Sequence, residues 1–394
     1  MKTLILFIGM LIPCLGFMSC NGQTSEKKIN NAIIGGGCDG CEMMYVGMPK
    51  TIYSEDTSPG WNEKGQKLIV SRTVFQLDGK TPAPNIIMYY WQTDNDGYYS
   101  PEKGMDKRAE RHGHIRGWVK TDAAGKYTIK TIRPAPYPGQ TMPAHIHLSI
   151  KEPDVDHEYY VDEINFDDDP LLIPYLKKNP QENRGGSGIV RLLIQRNIHI
   201  AEHTIILGLH IPNYPKTIPQ SARSGLNIGE DQPSFTPYHA YGPDKGTRTC
   251  PVCKYGRYQG ILYFTGAKTD WDDIKKWLQF LEQESTKRSQ YLKVYFISAG
   301  QDPEYRKVLV NLGEELHLKK TALCFVPSFS DKETEVNLNK INPDFKNTFI
   351  IYKHRNIVDK YVNLEAGNEN FGKISKALDK TQGDYFELPE IPYE

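Results

Sequence analysis

Pro143-Ala144-His145-Ile146-His147-Leu148-Ser149-Ile150 alternates apolar and other residues from Ala144 onward. That is the period of a β-strand, so His145 and His147, two apart, project from one face. Two imidazoles side by side on a strand make half of a metal site. Taken alone, His-x-His also suits a polar strip on a solvated strand face. Upstream, Pro136-Tyr137-Pro138 holds a tyrosine between two prolines, which fix φ on both sides and present the ring in one direction. Further back, Trp91-Gln92-Thr93-Asp94-Asn95-Asp96-Gly97-Tyr98-Tyr99 reads as a strand ending in a glycine turn with a phenol after it. Two tyrosines and two histidines form an unusual donor set. A phenol, with an ordinary pKa of about 10, ionises at neutral pH only against a strongly Lewis acidic ion. Ferric iron meets that demand, whereas zinc favours cysteine, histidine and carboxylate.

More of the chain shares one pattern. Trp91-Gln92 with Gly97-x-Tyr99 is followed by Arg116-Gly117-x-Val119-x-Thr121-Asp122-x-x-Gly125-x-Tyr127 and by Thr131-Ile132-x-Pro134-x-Pro136-Tyr137-Pro138. Pro143-Ala144-His145-Ile146-His147 and Phe166-Asp167-Asp168-Asp169-Pro170-Leu171 complete it. In order and gaps this central third of the chain resembles the intradiol ring-cleavage dioxygenases, non-haem ferric enzymes that split catechols between their hydroxylated carbons. The resemblance implies Fe(III) held by Tyr99, Tyr137, His145 and His147. Tyr99 and His145 would stay on the metal, Tyr137 and His147 would match the axial pair, and Tyr137 would be displaced by the incoming diol. The implied reaction joins a small aromatic diol with O2 to give a muconate-type dicarboxylic acid. A reading from another class is a membrane-anchored β-sandwich lipoprotein that binds a ligand and has no dioxygenase activity, since sandwich modules without chemistry share the Asp78-Gly79 and Asp122-x-x-Gly125 turns.

Two positions depart from the family's pattern. Met142 stands where the family commonly has an arginine, and Glu163 where it commonly has a glutamine. Arg133, Arg116 and Lys130 are candidates to supply the missing cation. His112 and His114 are expected in a loop near the site mouth, and His199, His203 and His210 as ordinary strand histidines. Asp167-Asp168-Asp169 lacks the ligand spacing of a calcium loop and reads as a turn.

Lys2 precedes an apolar run, Leu4 to Phe17, too short to span a bilayer and followed by small and polar residues, the form of a secretory signal peptide. Met18-Ser19-Cys20 looks like a bacterial lipobox. We therefore expect cleavage after residue 19, a lipid on Cys20, a tether over 20–30, and an exported lipoprotein of the bacterial cell envelope, on its periplasmic side or at the cell surface. Forty-eight basic and forty-eight acidic residues balance, which argues against a nucleic-acid partner; a homo-oligomer is compatible with the composition. In an oxidising compartment Cys38/Cys41 is expected as a disulfide. For Cys250/Cys253 three readings stand: a structural disulfide, a redox-active dithiol and a metal clip. Cys324, inside an apolar run, is expected in the core.

Short strands punctuated by turns run from Leu68 to His210 without a long helical period, so residues 31–215 are expected as an antiparallel β-sandwich, also the core of the family resembled. Residues 216–245, rich in Pro, Ser and Gly, are expected as a linker. In 246–382 the pattern becomes strand, helix, strand, helix, short strand, hairpin and helix. This resembles a thioredoxin-like α/β domain by topology, although Cys250-Pro251-Val252-Cys253 precedes the first strand and no cysteine stands at Gly266-Ala267-Lys268-Thr269. A tail over 383–394 closes the chain.

Overall fold

Leu68, Val70 and Val74 are fully buried along strand Lys67–Phe75 while the residues between them are partly exposed, the half-buried alternation that lets one sheet face another. A computed structural model describes residues 33–38, 40–215, 223–300 and 303–382, all within one compact unit, Ile33–Glu394. The expected signal peptide, Cys20, the 20–30 tether and the 383–394 tail lie outside the described residues.

Lys67–Phe75 belongs to a sheet ordered Glu55–Thr57, Lys126–Ile132, Lys67–Phe75, Ile198–Glu202, Leu193–Gln195, with Ile205–Ile206 also paired to Lys67–Phe75. The sheet packed against it is ordered Arg116–Lys120, Ile87–Gln92, His145–Lys151, Tyr159–Phe166, Ile189–Val190. Their shared core includes Leu68, Val70, Met88, Ile146, Leu148 and Phe166. The expectation of a purely antiparallel sandwich is corrected: Glu55–Thr57 runs parallel to Lys126–Ile132, Ile198–Glu202 parallel to Lys67–Phe75, and Ile189–Val190 parallel to Tyr159–Phe166. Long connections make this possible, because the 167–188 segment, which contains the helix Leu172–Leu176, is long enough for the crossover that a parallel pair requires. Near the end of the run of short strands expected up to His210, Ile189–Val190, Leu193–Gln195 and Ile205–Ile206 are strands of only two or three residues.

The C-terminal sheet is ordered Tyr238–Tyr241, Thr321–Val326, Leu292–Ala299, Gln259–Thr265, Asn347–Lys353, Asn356–Val362. Gln259–Thr265 is buried along its whole length, as a central strand covered on both faces must be. Helices Trp271–Lys287 and Asn368–Gln382 contribute Trp277, Leu281, Ile374 and Leu378 to one of its two cores. The first helix is capped by Asp270, whose side chain accepts from Asp273 N at 3.1 Å. Within the stretch read as linker, Phe235 is fully buried, Ser224 Oγ lies 2.6 Å from Thr348 Oγ1, and Tyr238–Tyr241 adds an edge strand. A proline-rich run shows no period even where its side chains are buried.

One polar cluster joins the sandwich to the C-terminal hairpin. Glu202 accepts from Arg72 at 2.6 Å and from Lys353 at 3.0 Å, with His354 Nδ1 at 3.2 Å. Burial alone would raise the Glu202 carboxyl, but the hydrogen bond from His354 and the charges of Arg72 and Lys353 hold it well below the usual carboxylate range. Such a group stabilises the fold above its unfolded pKa of about 4.3, and that contribution fades as pH falls toward the folded value. Glu202→Gln is therefore expected to cost about 3 kcal/mol near neutrality. In urea unfolding, the gap between the two proteins should shrink as pH falls from about 6 to about 3; a gap that stays constant would show that the charge is not what matters.

Candidate metal centre

His145 and His147 stand on the face of their strand opposite Ile146, Leu148 and Ile150, so the residues that fill the core also aim the imidazoles away from it. The strand is pinned at its start by Asp169, whose carboxylate accepts from Ala144 N at 2.8 Å and from Leu171 N at 2.9 Å. The Asp167-Asp168-Asp169 run is thus a turn with a positioning task. On the other side, Asp94 organises the loop that carries Tyr99, accepting from Asp96 N, Tyr98 N and Ser100 Oγ. Gly97 takes φ 86° there, and a Cβ on it would lie 2.3 Å from the Pro136 carbonyl oxygen, so only glycine lets the Tyr99 and Tyr137 loops approach this closely. Thr93 Oγ1 donates to Ala135 O at 2.7 Å and ties them further.

The outcome is a closed ring of four donor atoms. Tyr99 Oη is 2.7 Å from Tyr137 Oη, Tyr137 Oη 3.1 Å from His145 Nε2, His145 Nε2 3.1 Å from His147 Nε2, and His147 Nε2 2.9 Å from Tyr99 Oη. His145 Nδ1 lies 2.8 Å from the Pro143 carbonyl and so carries the proton; His147 Nδ1 faces the Glu163 carboxylate at 3.5 Å and carries its own. Both Nε2 lone pairs therefore point into the ring, and two phenol protons must serve four contacts. Burial and the neighbouring His147 push His145 down to about 4, so it is neutral. Burial raises both phenols, aided at Tyr99 by its hydrogen bond to Tyr137. A cation among these atoms would remove the conflict between lone pairs, and two phenolates with two imidazoles suit ferric iron. Among the described residues no group of three or more His, Cys, Asp or Glu is placed to hold a metal, so the tyrosines are what make this set of donors a candidate.

The surroundings hold what sequence reasoning missed. Tyr159–Phe166 is a strand whose alternation breaks at a bulge: Ile146 pairs with Ile164 and Leu148 with Val161, so Asp162 and Glu163 together oppose His147. The irregularity hid the strand and sets Glu163 beside the imidazole. Burial would raise the Glu163 carboxyl, yet the hydrogen bond and charge of His147 hold it below its ordinary value. Trp91 lies opposite His147 in register, and its ring stacks on His147 at 4.7 Å and on His112 at 4.3 Å. A cavity of about 350 Å3 opens over Tyr99, Tyr137, His147 and Glu163, with Arg111 and His112 also on its wall.

The three cations proposed from sequence are engaged elsewhere. Arg116 donates to Tyr89 Oη and Val46 O, Arg133 makes a two-bond pair with Asp168, and Lys130 pairs with Glu55. Arg111 is the arginine on the cavity wall. His114 sits between Glu63 and the Ser100 carbonyl, and none of His199, His203 and His210 lines the cavity. Met142 is half-buried just before the histidine strand. Cys38–Cys41 and Cys250–Cys253 are disulfides with Cα separations of 5.6 and 5.3 Å, and Cys324 is buried 3.4 Å from His239 Nδ1. Cys250 caps the short helix Pro251–Tyr255, ahead of strand Gln259–Thr265.

A family model described as Dioxygenase matches residues 50–183. The catechol 1,2-dioxygenase of Acinetobacter baylyi is 29% identical over 187 residues, covering 41% of this chain and 57% of that one. Catechol 1,2-dioxygenase 2 of Acinetobacter lwoffii is 32% identical over 187 residues, covering 42% and 64%. A solved dioxygenase domain from Streptomyces sp. SirexAA-E superposes with a TM-score of 0.31 at 21% identity, over 41% of this chain and 94% of that one. The chain thus spans less than two thirds of the length of these two catechol dioxygenases. Within that span, residues 50–183 match a dioxygenase family model and are similar to catechol 1,2-dioxygenases.

Proposed function

We propose that this protein cleaves a catechol-type aromatic diol with O2 to a muconate-type dicarboxylic acid, using Fe(III) held by Tyr99, Tyr137, His145 and His147. The observation that carries the reading is the closed ring of two phenol oxygens and two imidazole nitrogens, in a stretch similar to catechol 1,2-dioxygenases. When bound, ferric iron supplies the Lewis acidity that ionises phenols and renders an aromatic diol reactive toward oxygen.

The chain's own residues do the rest. Pro143 O and Glu163 hold the two Nδ1 protons outward, fixing the tautomers that leave both Nε2 atoms free to ligate. Trp91 stacks on His147 and restricts its rotation. Tyr137, on a loop between two prolines and at the cavity, would take the diol's proton on its oxygen as the substrate enters, if its own proton has first been displaced by a ferric ion held there. Trp91 supplies apolar surface for the aromatic ring. We further infer export and lipidation at Cys20, and a thioredoxin-like module in residues 246–382 in which Cys250–Cys253 serves as a structural disulfide. That role is supported by its place ahead of the first strand of the module and not at the helix following it.

The soluble form starting after Cys20 is expected to bind one ferric ion and absorb visible light through phenolate-to-iron charge transfer, with a band that shifts on adding catechol. A colourless protein that stays iron-free after ferric reconstitution would instead favour the ligand-binding lipoprotein. Tyr99→Phe and His145→Ala should each weaken iron binding by at least about 100-fold, beyond the loss usual for residues that merely support a ligand. Gly97→Ala should destabilise the protein by more than about 1 kcal/mol and bleach the band, because the Tyr99 and Tyr137 loops must part; an unchanged spectrum would show that their approach is not needed.

A further inference from the structure

Part of the wall of the cavity over the four donors comes from the N-terminal segment ahead of the sandwich strands. Gly37 and Cys38 line it. The chain on either side of them is fastened. Upstream, Gly35 N donates to Pro212 O at 2.8 Å, and Gly35 O accepts from the buried Arg184 at 2.7 Å. Gly35 also lies so close to Tyr159 that a Cβ would meet that residue's Cβ at 2.4 Å. Downstream, Cys41 and Met44 are buried, and Met44 packs with Tyr89 and Trp91, the tryptophan that stacks on His147. Trp118 Nε1 donates to Met44 O at 2.7 Å, Arg116 donates to Val46 O at 2.7 Å, and Arg111 pairs with Glu42 at 2.8 Å.

Between these anchors Gly36 and Gly37 have no side chains to hold them, and a glycine segment left to itself samples many conformations. The Cys38–Cys41 disulfide ties Cys38 to the buried downstream anchor across a Cα separation of 5.6 Å and so limits where Gly37 can go. A fixed wall at the edge of an aromatic pocket discriminates by size. The cavity, about 350 Å3, is at the small end of ligand sites, so displacing the wall would change what fits.

We infer that the Gly37–Cys38 segment, held by the Cys38–Cys41 disulfide, is a specificity wall that admits unsubstituted or lightly substituted catechols and excludes bulky ring substituents. This rests on the reading of the cavity as a diol site. The test compares ferric-loaded wild type, the double variant Cys38→Ser with Cys41→Ser, and Gly37→Phe. Anaerobic titration with catechol and with 4-tert-butylcatechol gives the ratio of the two dissociation constants for each protein. Gly37 has open space around its Cβ position and no positive φ, so the phenylalanine is accommodated without refolding. Wild type is expected to favour catechol. The double serine variant should lose at least about tenfold of that preference, the scale on which an apolar pocket discriminates by size, and Gly37→Phe should sharpen it. The same ratio in all three proteins would overturn the wall while leaving the diol site standing. If none binds either diol, the reading of the cavity fails and the wall with it.

Discussion

Two phenol protons can serve only two of the four contacts in this ring: with Tyr99 donating to His147 and Tyr137 to His145, the phenol oxygens 2.7 Å apart and the imidazole nitrogens 3.1 Å apart face each other with no proton between them. Buried polar groups are normally paired, and a cluster of acceptors short of donors persists only where something else holds it in place. Here the restraints are visible. Ile146, Leu148 and Ile150 fix the strand from the core side, Asp169 pins its first residue, and the Gly97 approach to Pro136 locks the two tyrosine loops together. The fold thus holds the two phenol oxygens and two imidazole nitrogens together before any ligand arrives.

Much of this was legible in the sequence because it depends on local periodicity and local turn chemistry. The alternation around His145 places both imidazoles on one face, and the prolines around Tyr137 and the glycine before Tyr99 mark the loops that carry the phenols. The strands and helices of the C-terminal part were also readable, since Trp271–Lys287 has a clear apolar face and Gln259–Thr265 is a continuous buried run. What was not legible depends on long-range pairing. Tyr159–Phe166 carries a bulge that breaks its alternation, and with the strand hidden the neighbour of His147 could not be identified. Ile198–Glu202 is half-buried at every position but Ala201, so it shows little alternation to read. Parallel pairing in the sandwich follows from crossovers whose length, not composition, decides them.

The misassigned cations show the same limit in charge. Arg133, Arg116 and Lys130 are close in sequence to the site, but each meets a nearer acceptor: Asp168, the Tyr89 phenol with the Val46 carbonyl, and Glu55. An arginine offered a two-oxygen carboxylate takes it, because the paired bonds match its planar fork. Arg111, on the short helical segment Lys107–His112, reaches the cavity from a loop with no motif to announce it.

Glu163 completes the argument about the site's charge. The family resembled commonly has a neutral amide there; a carboxylate accepts from His147 Nδ1 more strongly and leaves Nε2 a better donor toward a metal. A more electron-rich ligand would offset part of the Lewis acidity of a ferric ion held there and bind that ion more firmly. Met142 removes a positive charge next to the same strand, and Arg111 places one on the cavity wall instead. The charge that a bound anionic ring would meet has therefore moved from the strand carrying the histidines to the rim beside the disulfide segment. Arg111 also pairs with Glu42 of that same segment at 2.8 Å, an exposed ion pair that adds to the anchors already holding the wall beside it.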